Sequence, residues 1–326
     1  MNSVDLHADA VLRQLRQAPL SPARLALHLG IKKDQVQASF RELEARGYRI
    51  ARGPGDVARL SDIPDLMLPD ELEHELADAR FGRPLYTYGS VGSTNAVAAR
   101  LADAGAPEGT LVTAEEQTRG RGRLGRKWHS PAGVGIWMSL ILRPAADPAR
   151  AAGLSLVAGL SIVAALRPLT ESDIRIKWPN DVELSGRKLA GVLCESAVEG
   201  TNVRHTVVGM GININHELSD IPQDLKAIAV SLRMATGRRH RRVEIVAAIL
   251  RAFEARYKAY FDGRATHLVQ EFRERSGLIG RIVRITLPDR TYEGTVLDVT
   301  NEGSLLVLTG SGPRTVTAGE ASLRTD

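Results

Sequence analysis

The sequence predicts an α+β fold preceded by a winged helix-turn-helix, on three observations. Apolar residues at helical spacing run through residues 4–43, and a turn-rich pair of short strands follows them. Between residues 86 and 213 strand-like runs succeed one another with few long helices between them, which suits a mixed sheet better than a doubly wound one. Beyond residue 275, apolar residues alternate with turn glycines.

Length and composition bound the classes. The chain has 326 residues, 43% hydrophobic and 25% charged, ordinary for a globular protein and long enough for two or three domains. The start, MNSVDLHADAVLRQL, lacks a basic and an apolar export segment, and no apolar run approaches the length of a membrane helix. The expectation is a cytoplasmic protein with no membrane partner. Cys194 is the single cysteine, so an internal disulfide framework and a thiolate zinc cluster are excluded, and it reads as a small buried residue of the strand LAGVLCE. A net charge of +5 weakly favours polyanionic partners and does not distinguish ATP from DNA.

Taken in order, Val4, Val11, Leu12 and Leu15 mark a first helix, and Ser21 with Pro22 caps a second that runs through Leu25, Ala26 and Leu29 to Gly30. Ile31 leads into a third helix with Val36, Phe40 and Leu43 on one face, closed by Gly47. Tyr48-Arg49-Ile50 then turns at Gly53-Pro54-Gly55 and returns through Val57 to Leu60. This is the outline of a winged helix-turn-helix over residues 1–62. Lys33, Gln35, Gln37 and Arg41 are its candidate DNA contacts. Winged helices also serve as protein contacts, since the pattern specifies fold better than function.

Residues 63–84 shift to Asp, Pro and Leu and read as a linker with a short helix, ELEHELADA, that Asp70 can cap. A catalytic domain over 85–274 follows. Its strands are expected at 86–88, 110–114, 136–142, 174–178, 188–193 and 206–213, with a hairpin turn at Ser185-Gly186. A helix over 154–166, apolar nearly all round, is expected to be buried, and a second spans 242–261. Ser93-Thr94-Asn95 stands at a strand-to-helix junction, where such residues commonly serve as caps.

The chemistry concentrates in Gln117 to Leu142, QTRGRGRLGRKWHSPAGVGIWMSLIL. Gly120, Gly122 and Gly125 satisfy G-x-G-x-x-G, yet a dinucleotide-binding turn opens into a helix, and here Pro131, Gly133 and Gly135 lead into a strand. Gly120 to Lys127 also departs from a Walker A loop, with Arg126 in place of its lysine and Lys127 in place of Ser or Thr. Arg119, Arg121, Arg123, Arg126 and Lys127 repel one another, so the loop alone is expected to be poorly ordered and to fold over phosphate and carboxylate. The plain alternative is a solvated basic loop or a nucleic-acid patch; the continuation into Trp128, Ser130, Pro131 and an apolar strand argues for a lid.

Laid in order, Ser93-Thr94-Asn95, Gln117, GRGRLGRKW, KWPND, RKLAGVL and GININ resemble the biotin–protein ligase family, and with the winged helix they resemble its bifunctional ligase and biotin operon repressor members. The resemblance spans essentially the whole chain. It implies a class II synthetase-like catalytic domain of the biotin/lipoyl ligase type, and an SH3-like barrel over 275–326 that ends in Gly319-Glu320-Ala321-Ser322-Leu323-Arg324. Gly92 departs from it, standing where an acidic residue often precedes Ser-Thr-Asn.

The resemblance also implies roles. Ser93, Thr94, Asn95, Gln117, Gly120, Gly122 and Gly191 would surround biotin, with Trp128 closing over its tail. Arg121, Arg123 and Lys188 would bind biotin and carry catalysis, Lys188 bridging carboxylate and α-phosphate. ATP would meet Arg121, Arg126, Lys177, Asn180, Asp181 and Asn213, with Mg2+ held by Asp181 or Asn180. The implied partners are the biotin carboxyl carrier protein of acetyl-CoA carboxylase, operator DNA, and a second copy of the chain in an adenylate-loaded homodimer. Read as isolated residues, Lys177 and Lys188 can be solvent-facing strand lysines, and Trp128 can be core. A lipoyl or octanoyl ligase of the same fold, and a regulator that senses a small molecule without ligase activity, are the competing functions.

Overall fold

Three short helices open the chain: α1 (Ser3–Gln17), α2 (Pro22–Leu29) and α3 (Lys33–Ala45). The structure, a computed structural model, describes residues 3–287, 290–317 and 319–323. Ser21 Oγ accepts from Arg24 N–H at 3.4 Å to start α2, and Gly30 ends it with φ 65°. Val11, Leu12, Leu25, Val36, Phe40, Leu43 and Tyr48 are buried between the helices and the hairpin of β1 (Arg49–Gly53) and β2 (Val57–Asp62). The hairpin turns at Pro54–Asp56 as the glycines require, and this completes the expected winged helix-turn-helix. It lies in the first of two compact units, Met1–Leu66 and Met67–Asp326.

The second unit begins with α4 (Pro69–Glu75). Asp70 is not its cap as expected: Pro69 takes the first helical position and Leu68 is the N-cap, which leaves Asp70 in the first turn beside the helix dipole. There follow β3 (Leu85–Val91), α5 (Thr94–Asp103), β4 (Leu111–Gln117) and β5 (Gly135–Leu142). After α6 (Pro148–Ala152) and α7 (Leu154–Leu166) come β6 (Ile174–Lys177), β7 (Asp181–Leu184), β8 (Arg187–Glu199) and β9 (Asn202–Asn213). The seven strands form one sheet in the order β3-β4-β5-β9-β8-β7-β6. β3 and β4 run parallel and every other neighbouring pair antiparallel, so the sheet is mixed, as the strand spacing suggested.

Three helices follow, α8 (Leu232–Thr236), α9 (Arg242–Phe261) and α10 (Ala265–Ser276). The buried faces of α7, α9 and α10 share one core with Met138, Leu140, Val208, Met210 and Ile212 of the central strands. On the opposite face, α5 packs Val97 and Ala98 against Val112, Ile141 and Val207. Pro148–Leu169, helical almost throughout, is by length and composition alone apolar enough to cross a membrane, with a mean hydropathy of 1.8, contrary to the expectation that no run is. In the fold 67% of its most apolar window is buried, because α7 supplies the layer behind the sheet.

The last strands, β10 (Ile282–Thr286), β11 (Thr291–Val299), β12 (Leu305–Thr309), β13 (Gly312–Val316) and β14 (Glu320–Leu323), form an antiparallel sheet in the order β13-β12-β11-β10-β14. Arg324, expected in its final segment, lies outside the described residues. Val283, Ile285, Val296 and Val307 of this sheet join the same core, and Trp178 Nε1–H donates to Gly303 O at 2.8 Å. Cys194 is only partly buried at its strand position, yet desolvation pushes its thiol up to about 12, the range of an inert structural cysteine.

One buried ion pair ties the helices to the sheet. Arg242, with 0% of its side chain exposed, donates from Nη1 to Glu115 Oε2 at 2.9 Å and to Gly135 O at 3.0 Å, while Glu115 Oε1 accepts from Met67 N–H at 2.5 Å. Arg242→Ala leaves Glu115 without its buried cation and is expected to cost about 3–5 kcal/mol. Urea denaturation followed by tryptophan fluorescence measures this in the second unit alone, because Trp128, Trp137 and Trp178 all lie there. A loss below about 1 kcal/mol would mean that solvent reaches the pair.

Candidate functional site

Strand register builds the floor of the site. β5, β9 and β8 lie side by side, with Ser139 opposite Gly209, Gly209 opposite Leu193, Trp137 opposite Gly211, and Gly211 opposite Gly191. Residues two apart share a face, so Gly191, Gly209 and Gly211 leave a bare strip of backbone on the face that also carries α5. A cavity of about 250 Å³ lies over this strip. Gly209 is obligatory here: a Cβ would stand 2.0 Å from Asn95 Oδ1.

At one end of the strip the side chains are polar and mutually bonded. Ser93 is the N-cap residue of α5, as its position suggested, although its side chain makes no capping bond. Thr94 N–H and Oγ1–H donate to Gln117 Oε1 at 2.9 and 3.1 Å, and Gln117 Nε2 donates to Ser130 Oγ at 3.0 Å. Ser139 Oγ lies 2.8 Å from Thr94 Oγ1 and donates to Asn95 Oδ1 at 2.6 Å. Asn95 Nδ2 donates in turn to Leu193 O and Glu195 Oε2. Ser93, Thr94, Asn95 and Gln117 all line the cavity.

The Arg/Gly loop covers it. Trp128 N–H donates to Gly120 O at 3.0 Å, Gly122 N–H to Arg126 O at 2.7 Å, and Arg121 and Lys127 form an isolated antiparallel bridge. The loop is therefore a short hairpin held by its own backbone. The loop was expected to be poorly ordered by itself and open to folding by an anion; in the structure its own backbone closes the hairpin, and Glu195 and Asn180 take two of the mutually repelling arginines. Arg121 pairs with Glu195 at 3.5 Å, and Arg123 Nη1 donates to Asn180 Oδ1 and Gly319 O, both at 3.3 Å. Arg121, Gly122, Arg123, Arg126 and Trp128 line the cavity as expected, and Lys127 joins them. Gly120 does not; it is spent within the loop, where a Cβ would meet Trp128 O at 2.4 Å and Ser130 Oγ at 2.7 Å. Beside Gly92, where an acidic side chain was expected, lies the Arg119 guanidinium.

Lys188 faces the middle of the cavity. Its Nζ is 2.7 Å from Asp181 Oδ2 and 5.2 Å from the centre of the Trp128 ring. Gly191 presents bare backbone to Trp128 and Asp181, and Asn180 Nδ2 clips β7 to β8 through Val192 O at 2.8 Å. Asn213 lines the far end, its Nδ2 donating to Val230 O at 3.2 Å. Lys177 is the exception among the expected nucleotide ligands. It lies outside the cavity lining and pairs with Glu183 at 3.0 Å: its pairing with Asp181, and that of Asp181 with Gly191, puts it on the cavity face, but on the edge strand β6, two strands away from Gly191.

Several cavity groups lacked a sequence signal. Behind the lining of the polar end, Ser130 holds Gln117, and Ser139 and Glu195 hold Asn95; the segment after β9 closes the far end with His216, Ile221, Pro222, Leu225, Ile228 and Ala229. The segment joins the sheet where Lys188 N–H donates to Ile228 O at 2.7 Å, a pairing between residues forty apart that no local pattern announces. His216 follows directly on GININ, a placement that could have drawn attention to it.

Three cavity-lining side chains keep buried polar atoms with no hydrogen-bond partner: Trp128 Nε1, Asp181 Oδ1, and both ring nitrogens of His216. Such orphans are costly, and they suit a polar ligand. For a divalent cation the fit is narrower. Among the described residues no three His, Cys, Asp or Glu side chains converge. Asn180 is engaged through both amide atoms and Asp181 Oδ2 holds Lys188, which leaves Asp181 Oδ1 as the one acidic ligand the pair can supply. That suits magnesium carried mainly by phosphate oxygens rather than a resident ion in a protein cage.

In the first unit, Lys33, Gln35 and Arg41 stand exposed along α3. Gln35 Oε1 accepts from Lys32 N–H at 2.8 Å to start the helix, and Gln37 Oε1 accepts from Arg52 of the wing at 3.0 Å. Arg52 also lies 4.6 Å over the Phe40 ring. Of the four expected DNA contacts, Lys33 and Arg41 are therefore the ones whose side chains are not taken up in building the unit.

A mixed sheet with a glycine strip, a polar pocket end, a cationic hairpin lid and a strand lysine defines a ligase domain of the biotin and lipoate type. Residues 90–213 match the model of the Biotin/lipoate A/B protein ligase family, and residues 278–324 that of the Biotin protein ligase C terminal domain. The Bifunctional ligase/repressor BirA of Bacillus spizizenii is 35% identical over 278 residues, covering 85% of this chain and 86% of that protein. The Biotin--[acetyl-CoA-carboxylase] ligase of Mycobacterium tuberculosis is 34% identical over 234 residues, 69% of this chain and 84% of its own length. Among solved structures, the biotin protein ligase from Aquifex aeolicus in complex with biotin and ATP superposes with a TM-score of 0.63 at 32% identity, over 74% of this chain and 98% of that one. The chain belongs to the biotin protein ligase family.

His216 also makes the site sensitive to acid. Desolvation lowers its pKa from the ordinary 6.5 to about 4, with Asp220 opposing the shift and His129 and Arg242 adding to it. Below pH 6.5 the unfolded chain takes up a proton that the folded chain refuses until about pH 4. Stability thus falls with decreasing pH across that window, by up to about 3 kcal/mol from this one group, and burial lowers His205 and His240 in the same sense. His216→Phe is expected to flatten the pH dependence of urea stability between 6.5 and 4, read by tryptophan fluorescence; an unchanged slope would mean that His216 is solvated in the folded state.

Proposed function

We propose that this chain is an ATP-dependent biotin–protein ligase that forms biotinyl-5'-AMP and transfers biotin to a lysine of the biotin carboxyl carrier protein, and that it also acts as a biotin-responsive repressor, working in the cytoplasm. The observation that carries the ligase reading is the order of groups along the cavity. Uncharged donors and acceptors stand at one end, a glycine strip under Trp128 forms the middle, and Arg121, Arg123 and Lys188 gather above it. That sequence matches an acid with a polar head, an apolar tail and a terminal carboxylate. A linear lipoyl or octanoyl chain has no use for the Thr94–Gln117–Ser130 cluster.

A carboxylate does not acylate an amine at neutral pH, so it must first be activated. Its oxygen attacks the α-phosphorus of ATP and pyrophosphate leaves; the carrier lysine then attacks the acyl carbon, and AMP leaves. Negative charge builds on phosphate in the first step and on the acyl oxygen in the second, and fixed cationic donors lower both barriers. In this reading Ser93, Thr94 and Gln117 hold the ureido head, with Asn95 behind them. Trp128 covers the tail and keeps water out. Arg121 and Arg123 clamp carboxylate and phosphate, and Lys188, which Asp181 and Trp128 hold in place, sits between the two reacting groups. Arg126, Asn180, Asp181 and Asn213 lie on the nucleotide side. Asp181 Oδ1 is the oxygen that would meet a magnesium ion carried on ATP, which would neutralise phosphate charge.

The deciding assay is pyrophosphate release from ATP and magnesium with biotin, lipoate or octanoate as the acid. Biotin alone is expected to support it. Lys188→Ala is expected to lower adenylate formation at least about a hundredfold with the fold intact by circular dichroism; near-normal turnover would remove Lys188 from the mechanism, and wild-type turnover with lipoate alone would reassign the acid.

The repressor reading rests on the winged unit and on Lys33 and Arg41 along α3. The active form is a homodimer loaded with the adenylate. In a gel-shift titration with a biotin-operon operator, Lys33→Ala and Arg41→Ala are each expected to weaken binding and to lower the salt dependence by about one counterion. Operator binding that ignores both substitutions would move the contact elsewhere, and no binding with or without adenylate would leave a ligase whose winged helix has another use.

A further inference from the structure

We propose that Glu195 is a positioning residue for this reaction, the group that sets the place of Arg121 relative to the acid-binding floor; the inference rests on the ligase reading above. Glu195 lies on β8 two residues beyond Leu193 and therefore on the cavity face of the sheet. Its Oε2 accepts from Asn95 Nδ2 at 2.7 Å and from Arg121 Nη2 at 3.5 Å. Asn95 is held from several sides: its Oδ1 accepts from Ser139 Oγ, its Nδ2 also reaches Leu193 O, and its amide fits over the bare Cα of Gly209. One carboxylate oxygen, fixed from below by a buried amide, is thus presented to the lid arginine.

The other arm of the lid is fastened to the same floor. Thr94 holds Gln117, Gln117 Nε2 reaches Ser130 Oγ, and Ser130 Oγ donates to the Trp128 carbonyl at 3.1 Å. Arg121 and Trp128, the two ends of the hairpin, therefore hang from neighbouring residues of α5, Asn95 and Thr94. The Arg121–Glu195 pair is half exposed on both sides, so it contributes little to stability. A carboxylate near a phosphate site also opposes anion binding, which leaves geometry as its contribution: it holds a long, flexible cation in one direction before the substrates meet.

The two bonds can be separated. In Glu195→Gln the amide oxygen still accepts from Asn95 Nδ2, while the charge that draws Arg121 is gone. Trypsin cleavage after Arg126 and Lys127 is expected to run about tenfold faster in Glu195→Gln than in wild type at an unchanged thermal midpoint, since an unanchored lid opens more often. In pyrophosphate release, kcat is expected to fall about tenfold with the biotin KM within about twofold. In an Arg121→Ala background, Glu195→Gln is expected to add less than about twofold to either loss. Glu195→Ala, which also deprives Asn95 of its acceptor, is expected to raise the biotin KM as well. Lid cleavage and kcat of Glu195→Gln within about twofold of wild type, or losses that multiply in the double variant, would overturn the proposal. Should wild type release no pyrophosphate with any acid, the ligase reading falls, and the cleavage comparison still decides whether Glu195 holds Arg121.

Discussion

Asn95 and Gly209 occupy what is nearly the same space. The asparagine amide fills the volume that a side chain at position 209 would need, and by doing so it docks the first turn of α5 onto the middle of the sheet. Much of the site depends on this contact. It brings Thr94 to Gln117 at the end of β4, Ser139 of β5 to Thr94 and Asn95, and Glu195 of β8 to the loop above. Four strands and a helix are thereby tied by short hydrogen bonds between buried and half-buried groups, the most enclosed of them those of Ser139 to Thr94 and Asn95, where each loss is costly.

From that junction the cavity grades along β9. Gly209 belongs to the polar end, Gly211 lies under Trp128, and Asn213 closes on Val230. Successive residues on one face of a strand are about 7 Å apart, so the strip is long enough for a small acid laid head first, with its carboxylate delivered to Lys188. The lysine is itself restrained by an anion on one side and an aromatic face on the other. A flexible ammonium held in this way loses its conformational freedom on folding rather than during the reaction.

The lid shows how charge repulsion is managed. Five cations lie within nine residues from Arg119 to Lys127, and two of them are met by groups of other elements, Glu195 and Asn180. Arg126 and Lys127 also line the cavity, where an anionic ligand gains from their charge. Backbone bonds close the hairpin, so its shape does not wait on the ligand; the arginine side chains, long and partly exposed, keep the adaptability that a closing site needs.

Sequence alone determined the elements whose signals are local. The three helices and the wing of the first unit, the buried helix α7, six of the seven strands of the mixed sheet and the 242–261 helix all follow from periodicity, caps and turn residues that act within a few positions, whereas β7 was not among the expected strands. Arg121, Arg123, Trp128, Asp181 and Lys188 were legible through the resemblance that GRGRLGRKW, KWPND and RKLAGVL carry, and all five line the cavity. α10 went unread, since ATHLVQEFRERS carries a weak apolar face that only docking onto α7 and α9 makes into a core element. The partners of the site were decided by tertiary structure. Ser139 and Glu195 acquire their roles from strand register, because a period of two residues assigns each side chain to one face or the other and which face holds the ligand is known only once the sheet has formed; Lys177 is on that face but loses its expected role to strand order, which puts β6 at the edge of the sheet, two strands from Gly191.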